Sequence, residues 1–444
     1  MAAGLESLGG FVLESILFKL DAKHAAAAAC VSTRLRSAAS DDALWRHFCA
    51  RDFALYDRPL DPDGALCPSF KGAYKSWFGS FSMYPLSLVK RAKECWTSIR
   101  CWLSDNCPEI SDTLRKGVSE AEIQQAEKIL GVKLPAPTKV LYRLCDGQET
   151  FTTNAAKNKY LADLGIIGGY EFYEHLVNVH LLPLRMVVSQ TKNLTKEVSM
   201  LTMPKYIVVA ASFYMAKFFC LNCSSGQLYV GTSNLLENGE MMPCVPGELV
   251  RLKADANFDM PQDALLLWLE EHNRRLRSSM IKTRHPSSRS ICLFPETSPY
   301  CSVAVTNGVQ VRASAVFVPE ASDANGGEES YYFSYSIRMS LLPEGCMLDG
   351  VYYSSCQLHS RHWIIRSKDT IVSNVHGEAV IGQYPLLLPG EEEFVYQSCT
   401  PVPGVPGSVE GSFTFVPGRL SRPEGRQFDV KVAPFILEKP EYIF

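Results

Sequence analysis

The sequence predicts a multidomain protein in which a small all-α module, an α+β domain and an all-β sandwich follow one another. Apolar residues recur at helical spacing near the amino terminus, and helical and strand-like runs are mixed through the middle. After residue 290, polar and apolar residues alternate in short runs separated by Gly and Pro. The chain has 444 residues, enough for about three domains.

The net charge and the length of the apolar runs indicate which kinds of partner are not expected. The net charge of -3 creates no general attraction for nucleic acid, which is not expected as a partner. No apolar run approaches the roughly 20 residues that cross a bilayer, and the amino terminus lacks the basic region of a signal peptide. We therefore expect no membrane partner, a location in the cytoplasm and/or nucleus, and reduced cysteines.

The helical spacing of apolar residues in the segment 1–53 predicts short amphipathic helices. Asp21 is placed to cap the second helix, and Glu14 and Lys19 fall on the polar side of the first. Such a small core usually needs a partner or a neighbouring domain for stability. The apolar positions of the pattern are Leu8, Val12, Ile16, Leu17, Leu20, Val31, Leu35 and Trp45.

The run ESLGGFVLESILFKLDAK, followed by ACVSTRLRSAASDDALWRHF, resembles the F-box. The resemblance implies that these eight apolar residues bind a Skp-family adaptor and, through it, a cullin. Gly9 stands where many F-boxes have proline, which would pre-organise the helix start, so we expect weaker adaptor binding. The alternative is that the leucines form only the core of a larger helical domain.

Residues 54–90 predict a helical connector, because aromatic residues return at helical spacing between Phe70 and Phe81. Residues 91–275 predict the α+β domain. Ser119 and Glu122 have capping-box spacing, Gly131 is placed to end that helix, and alternating runs predict strands later in the domain.

The run LRKGVSEAEIQQAEKILGVKLPAPTKVLYRLCDGQ and the later LGIIGGYEF are similar to the SUKH superfamily. The similarity implies a protein-binding module without catalytic residues. Cys220 and Cys223 form the one CxxC pair. Their position at a strand-turn transition favours ordinary buried thiols over a zinc or redox site.

We predict that residues 276–290 form a basic linker, because the run RRLRSSMIKTRHPSSR is positively charged and rich in serine. A nuclear-import or nucleic-acid patch is the alternative interpretation of this run.

Residues 291–444 predict a two-sheet sandwich, and the acidic stretch Pro319–Glu329 predicts a mobile loop. The alternating runs are Ser302–Val305, Val309–Val318, Tyr331–Met339, Gln357–Ile365, Glu393–Ser398, Ser412–Val416 and Gln427–Ile436.

The segments QLHSRHWIIR, VHGEAVIGQYPLLLPG and VEGSFTFVP resemble the ApaG domain. The resemblance implies a sandwich of the immunoglobulin or fibronectin-III kind. Signature positions are occupied by Arg361, His362, Trp363, Gly377 and Gly382, which we consider a possible recognition surface. An inter-sheet corner is the alternative role for the first three.

Neither a cofactor nor a metal is expected. Ala379 replaces the middle glycine of a GxGxxG pattern, and no helix is predicted after it, which disfavours dinucleotide binding. His359 and His362 are three residues apart on a predicted strand and would point to opposite faces.

The order of the F-box, SUKH and ApaG resemblances implies a non-catalytic receptor that presents an unknown protein substrate within an SCF-type (Skp-cullin-F-box) ubiquitin ligase. A non-degradative scaffold and a nucleotide-sensing ApaG protein are the alternatives.

Overall fold

A computed structural model describes residues 9–149, 160–173, 175–197, 205–232, 241–253, 260–283, 290–323 and 330–443. The amino-terminal module is helical, as predicted. Asp21 and Ser32 accept hydrogen bonds from the backbone at the starts of their helices, which explains where these short helices begin. The helices are α1 (Gly10–Lys19), α2 (Ala22–Ala28), α3 (Thr33–Ala38) and α4 (Asp42–Phe53).

The module shares its core with the helices that follow, α5 (Phe70–Phe81), α6 (Leu86–Asn106) and the short α7 (Pro108–Ser111). The Tyr74 ring lies 5.3 Å from that of Trp45 and 5.2 Å from that of Phe53, so α4 and α5 pack through aromatic edges. The domain boundary proposed between residues 90 and 91 falls inside α6, because its buried stripe is continuous across that point.

The middle domain packs helices against a sheet. The reciprocal bonds of the Ser119–Glu122 capping box are present, and Gly131 ends that helix with a φ of 69°. The helices are α8 (Glu120–Leu130), α9 (Ala136–Leu144), α10 (Leu184–Glu197) and α11 (Ala264–Arg277), with a 3-10 turn at Gly247–Leu249.

A two-stranded sheet pairs β1 (Leu114–Lys116) with β2 (Cys145–Gln148). The larger sheet has eight described strands in the spatial order β8-β7-β6-β5-β4-β3-β10-β9. These strands are β3 (Gly168–Phe172), β4 (His175–Leu181), β5 (Tyr206–Ser212), β6 (Lys217–Asn222), β7 (Leu228–Thr232), β8 (Met242–Pro243), β9 (Lys282–Thr283) and β10 (Ile291–Cys292).

The segment predicted as a basic linker is partly structured. Helix α11 extends to Arg277, and Lys282–Thr283 pairs with Ile291–Cys292, which in turn runs parallel to β3. Residues 276–290 therefore do not act as a simple tether along their whole length, since part of the segment completes the sheet. Residues 284–289 lie outside the described ranges.

The carboxyl-terminal domain is the predicted sandwich. One sheet has the order β11-β12-β13-β19, and the other is built on β17-β16-β20, with β22 beside β20. Tyr335 and Trp363 meet edge to face at 6.3 Å between the two sheets. The strands are β11 (Cys301–Thr306), β12 (Val309–Phe317), β13 (Tyr331–Leu341), β14 (Cys346–Leu348), β15 (Val351–Tyr353), β16 (Cys356–Ser367), β17 (Thr370–Glu378), β18 (Leu386–Leu387), β19 (Phe394–Val402), β20 (Gly407–Arg419), β21 (Arg422–Pro423) and β22 (Phe428–Leu437).

The middle domain and the sandwich meet through polar contacts. The Tyr170 hydroxyl lies 2.8 Å from Glu320 Oε2, and Lys217 Nζ lies 3.7 Å from Glu320 Oε1. Ser334 donates a hydrogen bond to the backbone carbonyl of Glu171. Because the Glu320 side chain is only 4% exposed, the start of the acidic stretch predicted as a mobile loop is part of this interface instead.

Candidate functional site

Helix α1 carries apolar side chains on two faces. Leu13 and Leu17 face the core and are each 2% exposed. Phe11 and Phe18, seven residues apart and so on one face of the helix, remain exposed. Phe11 is 82% exposed, which is the highest exposed fraction among the large apolar side chains of the described residues.

The eight residues predicted to bind an adaptor fall into different environments. Leu17, Leu35 and Trp45 are buried in the core of this chain, Ile16 and Leu20 are half-buried, and Leu8 lies outside the described residues. Val12 and Val31 are exposed. The three buried residues therefore shape the module, whereas the exposed valines are accessible to a partner.

Sequence reasoning missed Phe11 and Phe18, because they share the side of α1 that carries Glu14 and Ser15. Two phenylalanines at a spacing of seven on a polar helix face were the available signal. The amino-terminal apolar surface is here defined as Phe11, Val12, Phe18 and Val31.

The helices behind this surface hold the module on the connector. Arg51 Nη1 donates to the Leu20 carbonyl at 2.9 Å, and Tyr74 donates to Asp52 at 2.8 Å. Lys93, on α6, donates to the Ala54 carbonyl at 2.9 Å, and burial lowers the pKa of this lysine to about 8. The module is thus fixed to α5 and α6.

In the sandwich, Arg361 holds the turn that follows β17. Its Nη1 donates to the carbonyl oxygens of Glu378 and Ala379, at 3.0 and 2.6 Å. A Cβ added to Gly377 would lie 3.1 Å from the guanidinium carbon, so this glycine lets the arginine approach. The turn contains positive φ angles at Ala379 (58°) and Gly382 (73°). Arg361, Gly377 and Gly382 therefore share a structural role in this turn.

The other two signature residues point apart. Trp363 is buried and contacts Phe413 edge to face at 5.3 Å. His362 stacks on His376 of the neighbouring strand, with ring centroids 3.9 Å apart, and lies 2.8 Å from the Asn374 side-chain oxygen. Of the five residues considered for recognition, only His362 presents a ring with an exposed polar contact.

The chemistry of the described residues does not favour a bound nucleotide or metal. Strand β17 ends in a turn, and no helix follows it within residues 330–443, although a dinucleotide fingerprint needs one. No cluster of three or more His, Cys, Asp or Glu side chains suited to a metal occurs among the described residues. Burial raises the pKa of Cys220 and of Cys223 to about 12, opposite to the shift of a reactive thiol.

Comparison with known families supports the three-part organisation. An F-box-like match covers residues 12–51, a SMI1/KNR4 (SUKH-1) match covers 117–243 and an ApaG domain match covers 321–417. The expected F-box, SUKH and ApaG domains are thereby confirmed.

Individual proteins match this chain over longer stretches. F-box only protein 3 of Homo sapiens is 24% identical over 93% of this chain and 79% of its own length. Protein ApaG of Nitrosomonas europaea is 33% identical over 30% of this chain and 93% of its own length. F-box protein SKIP16 of Arabidopsis thaliana is 52% identical over 99% of this chain and 100% of its own length. The chain therefore belongs to the family of F-box proteins with SUKH-type and ApaG domains that includes F-box protein SKIP16.

Proposed function

We propose that this protein is the substrate receptor of an SCF-type ubiquitin ligase and that its amino-terminal apolar surface binds the Skp-family adaptor. The observation that carries the proposal is the exposure of Phe11, Val12, Phe18 and Val31 on an otherwise well-packed helical module. Exposed apolar side chains in an F-box-like domain are suited to a protein partner, because burying them removes apolar surface from water.

The gain from this contact can be approximated from the exposed side chains. A phenylalanine buries about 150 to 250 Å² when it is covered completely. At about 25 cal/mol for each Å², covering the exposed part of Phe11 would contribute on the order of 3 kcal/mol. Phe11 is therefore expected to dominate the interface, with the two exposed valines adding smaller amounts.

The two downstream domains support the role of a presenting platform. Their interface contains the buried Lys217–Glu320 pair and the bond between Ser334 and the Glu171 carbonyl, so a substrate bound to either domain would be held at a defined position. The receptor would act without catalytic groups of its own, by keeping a target lysine near a ubiquitin thioester carried by another subunit. We propose the cytoplasm and/or nucleus as its location, which a fluorescent fusion would test.

Paired substitutions test adaptor binding. Phe11→Ser with Val31→Ser should weaken adaptor affinity by about 30- to 700-fold, because two exposed anchors lose roughly 2 to 4 kcal/mol together. Leu66→Ser is the matched control, since Leu66 is 71% exposed and Val31 is 73% exposed. Affinity is measured by calorimetry with purified adaptor, and the thermal midpoint of each variant checks folding.

Unchanged adaptor affinity in the folded double variant would refute the proposed interface. Leu17→Glu is unsuitable for this test, because a charge at a 2% exposed core position would unfold the module. Proximity labelling, with the proteasome inhibited, compares the proteins that lie near the parent chain and near the double variant. A protein whose labelling differs between the two, and whose half-life without the inhibitor also differs, would be a substrate. A labelled partner set with unchanged half-lives would indicate a scaffold instead.

A further inference from the structure

A cavity of about 570 Å³ lies where the middle domain, the sandwich and the end of the chain meet. Helix α11 and the segment after β10 form one side, strands β12 and β13 form another, and the chain end after β22 forms the third. This volume falls within the usual range of small-molecule sites, which are about 300 to 1,000 Å³. Domain junctions are also common locations for such sites.

The chain end is anchored, so it forms a defined wall. The Ile443 backbone N–H donates to the Pro243 carbonyl at 2.9 Å, and the Ile443 side chain is buried. The cavity floor includes Tyr170 and Lys217, whose hydroxyl and ammonium groups are 3.1 Å apart. Both domains therefore contribute to one enclosure, and an occupant would contact both.

The walls are mainly apolar and aromatic. Phe317 and Phe333 come from the sandwich, while Ile281 and Leu293 come from the segments on either side of β9 and β10. Tyr300 stands at the side of the cavity and is largely exposed, so its ring is accessible to a bound molecule. A ligand of this cavity needs an apolar body.

Two arginines of α11 line the cavity. Arg274 and Arg275 both line the cavity and share one carboxylate, with Glu271 lying 2.6 Å from Arg274 Nε and 2.8 Å from Arg275 Nε. These three side chains carry one net positive formal charge. The Arg275 side chain is 30% exposed, and this burial lowers its pKa because water solvates the charged form less well.

Two carboxylates also line the cavity, but they belong to the exposed chain end. Glu438 and Glu441 are accessible to solvent, where salt and water screen their charges. The ammonium group of Lys217 is already compensated by Glu320. Arg274 and Arg275 share the single carboxylate of Glu271, so this group keeps one net positive charge beside the cavity, and Arg275 is its half-buried arginine.

We propose that this cavity binds a small amphipathic organic monoanion, whose carboxylate-like group contacts Arg275 and whose aromatic or aliphatic body packs against Phe317, Phe333 and Tyr300. This site is separate from the adaptor interface and goes beyond the receptor function. Since such a ligand bridges the two domains, its binding would stabilise their arrangement by linkage.

Calorimetry on the full-length chain tests the site with naphthoate as probe and neutral naphthamide as its uncharged counterpart. We expect one saturable naphthoate site and at least about tenfold weaker naphthamide binding, because the amide loses the charge-assisted hydrogen bond. Ala315→Leu should weaken binding of both compounds, since Ala315 lines the cavity and the larger side chain occupies part of its volume.

Charge variants complete the test. Arg275→Gln should lower naphthoate affinity by about tenfold or more and leave naphthamide binding unchanged, whereas Arg275→Lys should retain most of the preference for the anion. Arg277→Gln is the matched control, because Arg277 lies on the same helix, is exposed and does not line the cavity. The thermal midpoint of each variant checks that it is folded.

Three results would overturn the proposal: no saturable naphthoate binding, equal binding of naphthamide, or full naphthoate affinity in folded Arg275→Gln. The Phe11→Ser, Val31→Ser variant should bind naphthoate like the parent chain. Loss of adaptor binding and loss of probe binding can therefore be distinguished, and either hypothesis can fail alone.

Discussion

Replacing Glu320 by Gln should strongly destabilise the contact between the middle domain and the sandwich. Lys217 Nζ lies 3.7 Å from Glu320 Oε1, and the two side chains are 3% and 4% exposed. The substitution keeps the size of the side chain but leaves the Lys217 ammonium buried without its opposite charge. Removing one partner of a buried ion pair costs about 3 to 5 kcal/mol.

At roughly 2 °C for each kcal/mol in a unit of this size, the thermal midpoint should fall by about 6 to 10 °C. Scanning calorimetry on the full-length chain measures this shift. The exposed Glu344→Gln is the control, with an expected change under about 1 °C.

A second substitution distinguishes loss of the ion pair from a general disturbance. Lys217→Met combined with Glu320→Gln removes both charges, so the double variant should recover to within about 1 kcal/mol of the parent. Additive losses from the two substitutions would refute the reasoning, because they would show that the two charges are not coupled in the folded chain.

The remaining predictions concern pH and backbone geometry. Burial lowers the pKa of His180 and of His272 from 6.5 to about 4, so the unfolded chain takes up these protons first as pH falls. The contribution of the two histidines to stability should be full above pH 6.5 and fall by up to about 1.4 kcal/mol per pH unit per histidine towards pH 4, as urea titrations would show. His180→Gln should reduce that slope, and an unchanged slope contradicts the assignment. Gly411→Ala should lower the free energy of unfolding by more than about 3 kcal/mol, since the added Cβ would lie 1.9 Å from the His362 carbonyl oxygen. Gly382→Ala should lower it by only about 1 kcal/mol, because no atom lies within 4 Å of its added Cβ. Equal midpoints of the two variants in urea would contradict this steric argument.

Local patterns predicted much of the fold. The Ser119–Glu122 capping box and the helix end at Gly131 are where the sequence placed them, because both depend on bonds within a few residues. The seven alternating runs after residue 290 are all strands in the described structure. One face of each of these strands is buried in the sandwich, and successive side chains point to opposite faces. Alternating apolar and polar residues therefore identify such a strand in the sequence.

Strand β17 shows where the same reasoning fails. It lies at the edge of its sheet, and exposed residues occur on both of its faces, so its sequence has no clear alternation. The proposed domain limits also meet continuous helices. The limits after residues 90 and 275 fall inside α6 and α11, because the packing of the buried face, which acts over the whole helix, determines helix length.

The proposed adaptor surface was only partly predictable. The apolar period of α1 identified Leu17 and Val12 together, but only the tertiary structure separates the buried leucine from the exposed valine. Phe11 looked unremarkable beside polar neighbours, and its significance depends on nothing covering it within the described chain.

By itself, the sequence determined the order of an all-α, an α+β and an all-β part and most helices and strands, because these follow from short-range periodicity and local motifs. Only the tertiary structure decided which apolar residues remain exposed and how the domains meet. Tyr170 and Glu320 are 150 residues apart in the chain, yet their side chains form a hydrogen bond at the interface. Contacts of that kind depend on the relative placement of whole domains, which no local pattern of residues records.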